Sequence, residues 1–360
     1  MRRFFPLALA LAISLTACGG RGATAVQEAP FESTIFAMDT VMTLSVYGSQ
    51  AGLDAAVAEI NALERLLSVT REDSEVWAIN HSGGAPVSVS GDTAQLLQAA
   101  LTLGNQTGGA LDVTLYPVVC AWGFTTGEYQ IPDEDTLRAL LERVNYQNVH
   151  YETEADDSTA DPAAEEAGPS AASITLPQGV ELDFGALAKG YAGEKCAQLL
   201  KDAGVTSAIL RLGGNIQTVG AKPDGSAWIV AIQDPGGEES SYLGTLRLVD
   251  QAAVTSGGYQ RYFEENGVRY WHILDPKTGR PAQSGLTSVT IVGDSGTLCD
   301  GLSTALFVMG REKALEYWRT SGGFEAVLAD EDNNLWVTGG LADSFALNED
   351  TGYTLHIVEE

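Results

Sequence analysis

The sequence predicts a protein of mixed secondary structure, in either the α+β or the α/β class. Strand-like stretches alternate with stretches in which apolar residues recur at helical spacing. The chain has 360 residues, 44% of them apolar, and a mean hydropathy of −0.01, which argues against wholesale disorder and against a polytopic membrane protein. Propensity alone does not choose between the two classes.

The first part of the chain predicts one strand and three helices. Residues Thr40–Tyr47 predict the strand, and Ala51–Leu67 carries an apolar helical stripe. A second helix is expected to begin at an Asp92 cap and to run through Leu103. A third is expected over Asp133–Val144, because acidic residues in its first turn suit the helix dipole.

The second part of the chain alternates more regularly. We expect strands at Ile174–Phe184, Val205–Leu212, Ala227–Gln233, Tyr270–Leu274 and Leu286–Val292. We expect helices at Ala186–Ala203, Asp300–Met309 and Glu312–Trp318, followed by C-terminal strands.

The N-terminus predicts a lipoprotein signal over residues 1–17. Arg2 and Arg3 precede the apolar run Phe4–Ala17, which is too short to cross about 30 Å of hydrocarbon. Leu-Thr-Ala-Cys at its end resembles a bacterial lipobox, which implies that Cys18 carries lipid, palmitate included, and anchors the chain on the extracytoplasmic side of the cell membrane. An ordinary signal peptide that contains a cysteine is the alternative. Residues 18–30 are expected to form a flexible tether.

The charge balance limits the partners. The formal net charge of −28 argues against nucleic acid, whose phosphates need clustered Lys and Arg. It also means that an anionic substrate needs a cation or a local basic pocket. Seven acidic residues fall in residues 152–172, a segment without periodicity that we expect to be an acidic surface insertion.

The remaining cysteines do not predict a framework of disulfides or a zinc site. Cys120, Cys196 and Cys299 are widely spaced and odd in number, and no CxxC or Cys/His pair accompanies them. We therefore expect buried free thiols. Nucleotide-binding fingerprints and the HExxH motif are absent as well, and the four histidines are scattered.

Two pairs of residues at predicted strand–helix junctions could serve an anionic ligand. Asp183 ends a predicted strand, and Lys189 lies in the next helical turn; a capping carboxylate with a solvent-facing lysine is the alternative. Asp300 and Thr304 are four residues apart and share a helix face. Such a pair suits Mg²⁺, which keeps waters and takes further ligands from phosphate, although a helix-capping Asp beside a buried Thr fits equally well.

A third segment supplies a candidate base. His272 follows an aromatic strand and precedes the turn Asp275–Gly279. A histidine beside a carboxylate is suited to general base catalysis. A purely structural histidine is the alternative.

Taken in order, these segments resemble the ApbE-type flavin transferases, the family of FAD:protein FMN transferases. The resemblance runs from about Phe36 to the C-terminal strands and depends on Met38-Asp39-Thr40, Leu67-Ser68 with Asp73-Ser74-Glu75-Val76, Gly109-Ala110-Leu111-Asp112-Val113-Thr114, Asp183 to Tyr191, Gly213-Gly214-Asn215, Thr255-Ser256-Gly257, His272 to Gly279 and Asp300 to Thr304. It implies an α+β fold of mixed sheets flanked by helices, T-fold-like, with residues 31–360 as the catalytic domain.

The resemblance also implies a reaction. With Mg²⁺ bound, a threonine hydroxyl of a target protein attacks the FMN-side phosphorus of FAD, and AMP leaves. The targets are redox-complex subunits or flavin-carrying proteins with a Ser/Asp-Gly-Ala-Thr-like motif. No such motif occurs in this chain, so the acceptor is expected to be another polypeptide.

Residue by residue, the resemblance implies three groups. His272 would be the base, and Ala186, through its carbonyl, would join Asp300 and Thr304 at the metal, with Ser303 at a position where some relatives place an acid. The FAD site would comprise Met38, Thr70, Ala110, Leu111, Asp112, Asp183, Lys189 and Leu274. Two other functions remain open: an FAD pyrophosphatase that uses water as the acceptor, and a flavin-binding lipoprotein without catalysis.

Overall fold

The computed structural model describes residues 29–153, 171–238 and 240–359. Its strands are β1 (Phe31–Ala37), β2 (Thr40–Val46), β3 (Val87–Ser90), β4 (His150–Thr153), β5 (Ala171–Thr175), β6 (Ser207–Leu212), β7 (Asn215–Gly220), β8 (Trp228–Gln233), β9 (Tyr242–Leu248), β10 (Ala252–Gly257), β11 (Tyr262–Glu265), β12 (Val268–Trp271), β13 (Leu286–Gly293), β14 (Glu325–Asp330), β15 (Asn334–Thr338), β16 (Phe345–Leu347) and β17 (Thr354–Val358). Its helices are α1 (Gln50–Leu67), α2 (Glu75–Asn80), α3 (Gly91–Gln106), α4 (Tyr116–Ala121), α5 (Glu134–Leu141), α6 (Ala188–Asp202), α7 (Gly296–Met309) and α8 (Arg311–Ser321).

A nine-stranded sheet organises the molecule. Its order is β1-β2-β6-β7-β10-β13-β14-β15-β17, and its ladders are antiparallel except for β15 with β17. Antiparallel pairing of this kind is typical of α+β proteins, because a parallel sheet needs a crossover between neighbouring strands. The α+β class is therefore confirmed.

Both faces of the large sheet are covered. Helices α1, α6 and α7 pack on one face, where the main apolar core lies. The small sheet β16-β9-β8 packs on the other face through a second core that includes Trp228, Leu246 and Leu248. Burial of these two cores is the main force that holds the sheet between its layers.

A third apolar cluster lies to one side of the sheet. Val118, Trp122 and Phe124 from α4 and the residues after it pack with Leu137 of α5 and with Leu274. The indole of Trp122 donates a hydrogen bond of 2.7 Å to the carbonyl of Gly279. This cluster therefore fixes the chain around residue 274 against helices α4 and α5.

Several predicted elements differ at their ends. Helix α3 begins after Ser90, and Asp92 lies inside its first turn, where its carboxylate accepts from the Tyr191 hydroxyl at 2.6 Å and pairs with Lys195 at 2.9 Å. The predicted cap at Asp92 is therefore wrong. Helix α5 ends at Leu141, because the amide of Val144 bonds to the carbonyl three residues earlier and tightens the turn.

The strand predicted over Ile174–Phe184 is shorter than expected. Strand β5 ends at Thr175, and the Pro177 turn follows, with Gly179 at a positive φ of 81°. The apolar residues beyond this turn are buried in the core without joining a sheet.

The two ends of the acidic insertion predicted over 152–172 are strand residues, since β4 and β5 pair with each other. Residues 154–170 lie outside the described part of the chain, as do residues 1–28 with the predicted signal, Cys18 and most of the tether. Cys120, Cys196 and Cys299 are free thiols, the last two buried. Among the described residues, no helix is both long and apolar enough to cross a membrane.

Candidate functional site

A cavity of about 480 Å³ opens between the β1–β2 hairpin, the helical face of the large sheet and the third apolar cluster. Its volume lies in the range typical of small-ligand sites. The twelve site residues expected within the described chain all line it: Met38, Thr70, Ala110, Leu111, Asp112, Asp183, Ala186, Lys189, His272, Leu274, Asp300 and Thr304. Residues separated by more than 260 positions therefore meet at one place.

The β1–β2 turn forms one edge of the cavity. Met38 and Asp39 both have positive φ angles, 48° and 61°, between the paired residues Ala37 and Thr40. Two such residues in a two-residue loop match the type I′ hairpin turn. The turn carries Met38 into the cavity lining, whereas Thr70 lies at the exposed rim beyond α1.

The segment Ala110–Asp112 forms a second wall. One carboxylate oxygen of Asp112 accepts from the amide and the hydroxyl of Thr114, at 2.8 and 2.6 Å, and the other accepts from the amide of Tyr146 at 3.0 Å. These bonds hold the loop that follows α3 in place. The expected contact of Asp112 with FAD remains a prediction, and the bonds show that this carboxylate also has a structural task.

Asp183 and Lys189 lie on the segment that enters helix α6. Asp183 is in an extended stretch outside the sheets, and its carboxylate accepts from the Gly185 amide at 2.8 Å. The expectation that Asp183 ends a strand is wrong, since only its amide bonds to a neighbouring segment, at the Val113 carbonyl. Burial raises the pKa of Asp183, and the charge of Lys189 acts in the opposite direction.

Lys189 supplies positive charge inside an acidic protein. Its Nζ atom donates to the Gly185 carbonyl at 3.2 Å. Burial raises the pKa of Asp183 and of Asp300, and the charge of Lys189 opposes that rise. Burial lowers the pKa of His272, and the charge of Lys189 adds to that decrease. Lys189 is therefore placed to offset the charge of an anion bound in the cavity.

Asp300 lies one turn inside helix α7, which begins after the Ser295 cap. The alternative of a capping Asp300 is therefore excluded. Only 3% of Asp300 is exposed, and its Oδ2 atom accepts from the Gly190 amide at 2.8 Å. A Cβ atom on Gly190 would overlap the Gly296 carbonyl and the Asp300 side chain, so a glycine lets α6 and α7 approach this closely. Burial raises the pKa of Asp300.

Thr304 lies one turn after Asp300 and lines the same cavity. Its hydroxyl is 3.3 Å from the Ser256 hydroxyl. Ser303 is fully buried and donates to the Asp300 carbonyl at 2.8 Å, while its oxygen is 2.8 Å from that of Ser256. Ser303 therefore braces the helix and Ser256, and it does not line the cavity.

The metal ligands available next to Asp300 and Thr304 fit Mg²⁺. The Asp300 carboxylate, the Thr304 hydroxyl and the Ala186 carbonyl are oxygen donors, which Mg²⁺ prefers. The Gly190 amide bonds to Asp300 and not to the carbonyl of residue 186, four positions earlier, and no described group donates to that carbonyl. Within the described ranges no three His, Cys, Asp or Glu side chains gather as a metal cluster, so a cation here would rely on waters and phosphate as well.

His272 follows strand β12 and lies beside the cavity. Its Nδ1 atom is 3.1 Å from the Arg261 carbonyl. Because a carbonyl only accepts, Nδ1 carries the hydrogen and Nε2 keeps its lone pair. Burial lowers the pKa of His272 to about 4, and the nearby charges of Arg261 and Lys189 lower it too. The ring is therefore neutral at pH 7 and able to accept a proton.

Leu274 lies two residues beyond His272. It belongs to the third apolar cluster and also lines the cavity. An isolated antiparallel β-bridge with Pro281 holds its backbone. The expected packing of Leu274 against a ligand fits this position and stays a prediction.

Sequence reasoning assigned no role to Arg261. Its guanidinium is 3.1 Å from the Asp39 carboxylate and donates to the Phe124 carbonyl, while its own carbonyl holds His272. Arg261 therefore connects the hairpin, the α4 side and the candidate base. A single basic residue in an acidic chain is a weak signal, and no motif marked it.

Asn215 was also missed, although it belongs to the Gly-Gly-Asn motif. It is 4% exposed and lines the cavity, and its Nδ2 atom has no hydrogen-bond partner among the described residues. Asn215 and Asp300 line the same cavity, and the Asn215 amide opposes the rise that burial causes in the pKa of Asp300. A buried donor without a partner is costly unless a ligand or carboxylate uses it.

Comparison with known proteins gives the same family throughout. The model of the ApbE family matches residues 38–328. A protein of Treponema pallidum named FAD:protein FMN transferase is 34% identical over 342 residues, which cover 91% of this chain and 90% of the relative. One of the same name from Klebsiella pneumoniae is 32% identical over 83% of this chain and 88% of its own length.

Solved structures agree with the sequence relatives. An ApbE protein of Thermotoga maritima superposes with a TM-score of 0.72 at 29% identity, covering 89% of this chain and 97% of that one. The apo form of the Pseudomonas stutzeri flavinyl transferase ApbE gives a TM-score of 0.70 at 27% identity, covering 85% and 93%. The chain therefore belongs to the ApbE family.

Proposed function

We propose that this chain is an FAD:protein FMN transferase that moves FMN from FAD to a threonine hydroxyl of another polypeptide, with Mg²⁺, and releases AMP. The observation that carries the proposal is that the candidate base, a lysine and three oxygen ligands for a metal ion all line one cavity. The names of the relatives support the reaction class.

The FAD site is assigned to the residues that line the cavity around Lys189. Met38, Ala110 and Leu111 offer mostly apolar contacts, and Asp112, Asp183 and the exposed Thr70 offer polar ones. Leu274 closes the side next to His272. Such a mixture of apolar wall and few polar groups is typical of cofactor-sized sites.

Asp300, Thr304 and the Ala186 carbonyl are the residues that would hold Mg²⁺. The ion would neutralise pyrophosphate charge when bound. Lys189 adds a second positive charge close by, and the Gly190 amide keeps the Asp300 carboxylate oriented. Asp300 thus contributes its charge from a buried and fixed position.

His272 is the proposed base. Its neutral Nε2 atom accepts the proton of the acceptor threonine, whose oxygen forms a bond to the FMN-side phosphorus of FAD. The bond from that phosphorus to the bridging oxygen breaks, and AMP leaves with that oxygen. Arg261 holds the ring through the Nδ1 hydrogen bond, so the lone pair stays available.

Location and boundaries are part of the proposal. We assign residues 1–17 to a signal that is removed and Cys18 to a lipid anchor. Residues 18–30 would form a tether that holds the domain of residues 31–360 at the outer face of the cell membrane. The motif Leu-Thr-Ala-Cys supports the lipid anchor. A Cys18→Ala variant should leave the membrane fraction and lack the acyl mass. A variant that stays membrane-bound would contradict the anchor.

The test of the reaction uses FAD, Mg²⁺ and a synthetic peptide with an Asp-Gly-Ala-Thr segment. We expect AMP together with a peptide whose mass has increased by the FMN moiety. AMP with free FMN alone would identify a pyrophosphatase. FAD binding without AMP under any condition would identify a flavin-binding protein without catalysis.

A further inference from the structure

The rim of the cavity carries an exposed apolar pair on the β1–β2 hairpin. Phe36 and Val41 stand opposite each other across the two strands, and they are 69% and 60% exposed. Opposite residues of an antiparallel pair extend from the same face, so the two side chains form one patch. Because Phe36 also lines the cavity, the patch begins at the cavity mouth.

The rest of this hairpin face is polar. Thr34 faces Thr43, and their hydroxyls are 3.5 Å apart. The next pair is Glu32 and Ser45, where the serine hydroxyl donates to the carboxylate at 2.9 Å. Apolar surface on this face is thus confined to the end that reaches the cavity.

Short contacts connect the patch to the candidate base. The Met38–Asp39 turn follows Phe36, and the Asp39 carboxylate is 3.1 Å from the Arg261 guanidinium. The Arg261 carbonyl in turn accepts from His272 at 3.1 Å. Phe36 and His272 line the same cavity, so a chain that brings a hydroxyl to His272 past the hairpin would contact this rim.

We propose that Phe36 and Val41 are the docking surface for the acceptor polypeptide and take an apolar side chain next to the acceptor threonine. The inference rests on the proposed transferase function, because only that reaction brings a second polypeptide to the mouth. Apolar contact also suits a chain of net charge −28, since burial of apolar surface attracts a partner whatever its charge.

The experiment compares two synthetic peptides that contain Asp-Gly-Ala-Thr, one with leucines beside the segment and one with serines there. The variants are Val41→Asp and Phe36→Ser. The matched controls are Val249→Asp and Ile229→Ser, at residues that are 47% and 52% exposed and lie outside the cavity lining. FMN transfer is followed by peptide mass and FAD affinity by flavin fluorescence.

We expect wild-type protein to have a KM about tenfold lower for the leucine peptide, the effect of burying roughly one apolar side chain. Both hairpin variants should lose this preference, while both controls keep it. Val41→Asp should bind FAD as the wild type does, which shows that the loss concerns the acceptor.

Three results would overturn the inference. The first is an unchanged peptide preference in both hairpin variants. The second is a change in self-association, or in binding to phosphatidylglycerol vesicles, with no change in peptide KM, since the patch would then serve a second copy or the membrane. The third is wild-type protein that labels neither peptide; this alone also contradicts the proposed transferase function.

Discussion

The inner wall and the outer rim of the cavity are built in opposite ways. At the inner wall, α6 and α7 cross so closely at Gly190 that Asp300 is almost fully buried and held by a backbone amide. At the rim, the hairpin pair Phe36 and Val41 is mostly exposed, and its tie to the neighbouring wall is the partly exposed ion pair of Arg261 and Asp39.

This contrast separates two tasks. A buried carboxylate has few alternative arrangements, so charge can be placed accurately for phosphoryl transfer. An exposed rim can adapt to a polypeptide, and its individual contacts contribute less free energy. Substitutions at the inner wall should therefore affect the chemistry strongly, and those at the rim should affect the acceptor modestly.

The largest effect is expected for Asp300→Ala. Loss of this carboxylate should lower metal-dependent AMP release by about 10³-fold, since metal charge is worth several kcal/mol in such reactions. Steady-state kinetics and Mg²⁺ titration would measure it. The exposed Asp224→Ala is the control and should behave as the wild type does. Equal Mg²⁺ affinity in Asp300→Ala would contradict the metal assignment.

His272→Gln should follow, with FMN transfer lowered by about 10²- to 10³-fold at neutral pH, the usual contribution of a general base. FAD binding should change little, because the substitution removes the proton acceptor and keeps a polar side chain. Single-turnover kinetics would separate the effect on FMN transfer from the effect on FAD binding. His81→Gln, at an exposed helix end, is the control. Full activity in His272→Gln would remove this residue from the mechanism.

The pH profile tests the environment of the same ring. A base acts when deprotonated, and the pKa of His272 is lowered to about 4, so its contribution is present above that value and lost as pH falls through it. Burial is the main cause of this low pKa, and the charges of Arg261 and Lys189 lower it further. Stability should also decrease from about pH 6.5 toward 4, because the unfolded chain binds the proton more readily there. An acid limb of kcat/KM centred near 6.5 would show that the ring is not desolvated.

A smaller effect is expected for Asn215→Ala. Removal of this buried amide, which lines the same cavity as Asp300, should weaken Mg²⁺ binding and turnover by about 10- to 100-fold, as is usual for groups that orient metal ligands. Asn61→Ala is the control, since the Asn61 amide donates to a carbonyl of its own helix. Mg²⁺ titration distinguishes a positioning role of Asn215 from a purely structural one. If the role is purely structural, the Mg²⁺ affinity of Asn215→Ala should equal that of the wild type.

The smallest effect is expected at the rim. Arg261→Ala removes the ion pair with Asp39, worth at most about 1 kcal/mol, and the guanidinium hydrogen bond to the Phe124 carbonyl, but it keeps the backbone carbonyl that holds His272. The acceptor KM should therefore rise by no more than about tenfold. Arg269→Ala, which breaks the exposed pair with Glu264, is the control. If Arg261→Ala lost as much activity as Asp300→Ala, the rim and the inner wall would not have separate tasks.

The sequence predicted the inner wall better than the rim. Asp300 and Thr304 are four residues apart, and a helix must place them on one face, so local spacing sufficed. Motif order then indicated which distant segments belong with them. The ion pair of Arg261 with Asp39 joins residues far apart in the chain without a motif, and no periodicity reports such a contact.

Parts of the fold were outside the reach of local patterns for the same reason. Strand β10 lies between β7 and β13, an order that depends on long-range pairing. The Ile174–Phe184 prediction failed because apolar residues continue past the Pro177–Gly179 turn, where burial in the core replaces strand pairing. Tertiary packing decides such cases.

A crystal structure of the chain with FAD and Mg²⁺ tests most directly whether the inner wall binds the substrate and the metal while the rim is left for the acceptor. We predict the pyrophosphate beside Lys189, a metal ion on Asp300, Thr304 and the Ala186 carbonyl, and an uncovered Phe36–Val41 patch. FAD bound instead in the separate cleft between α3 and α7, lined by Gln98, Thr102 and Thr297, would contradict the assignment of this cavity.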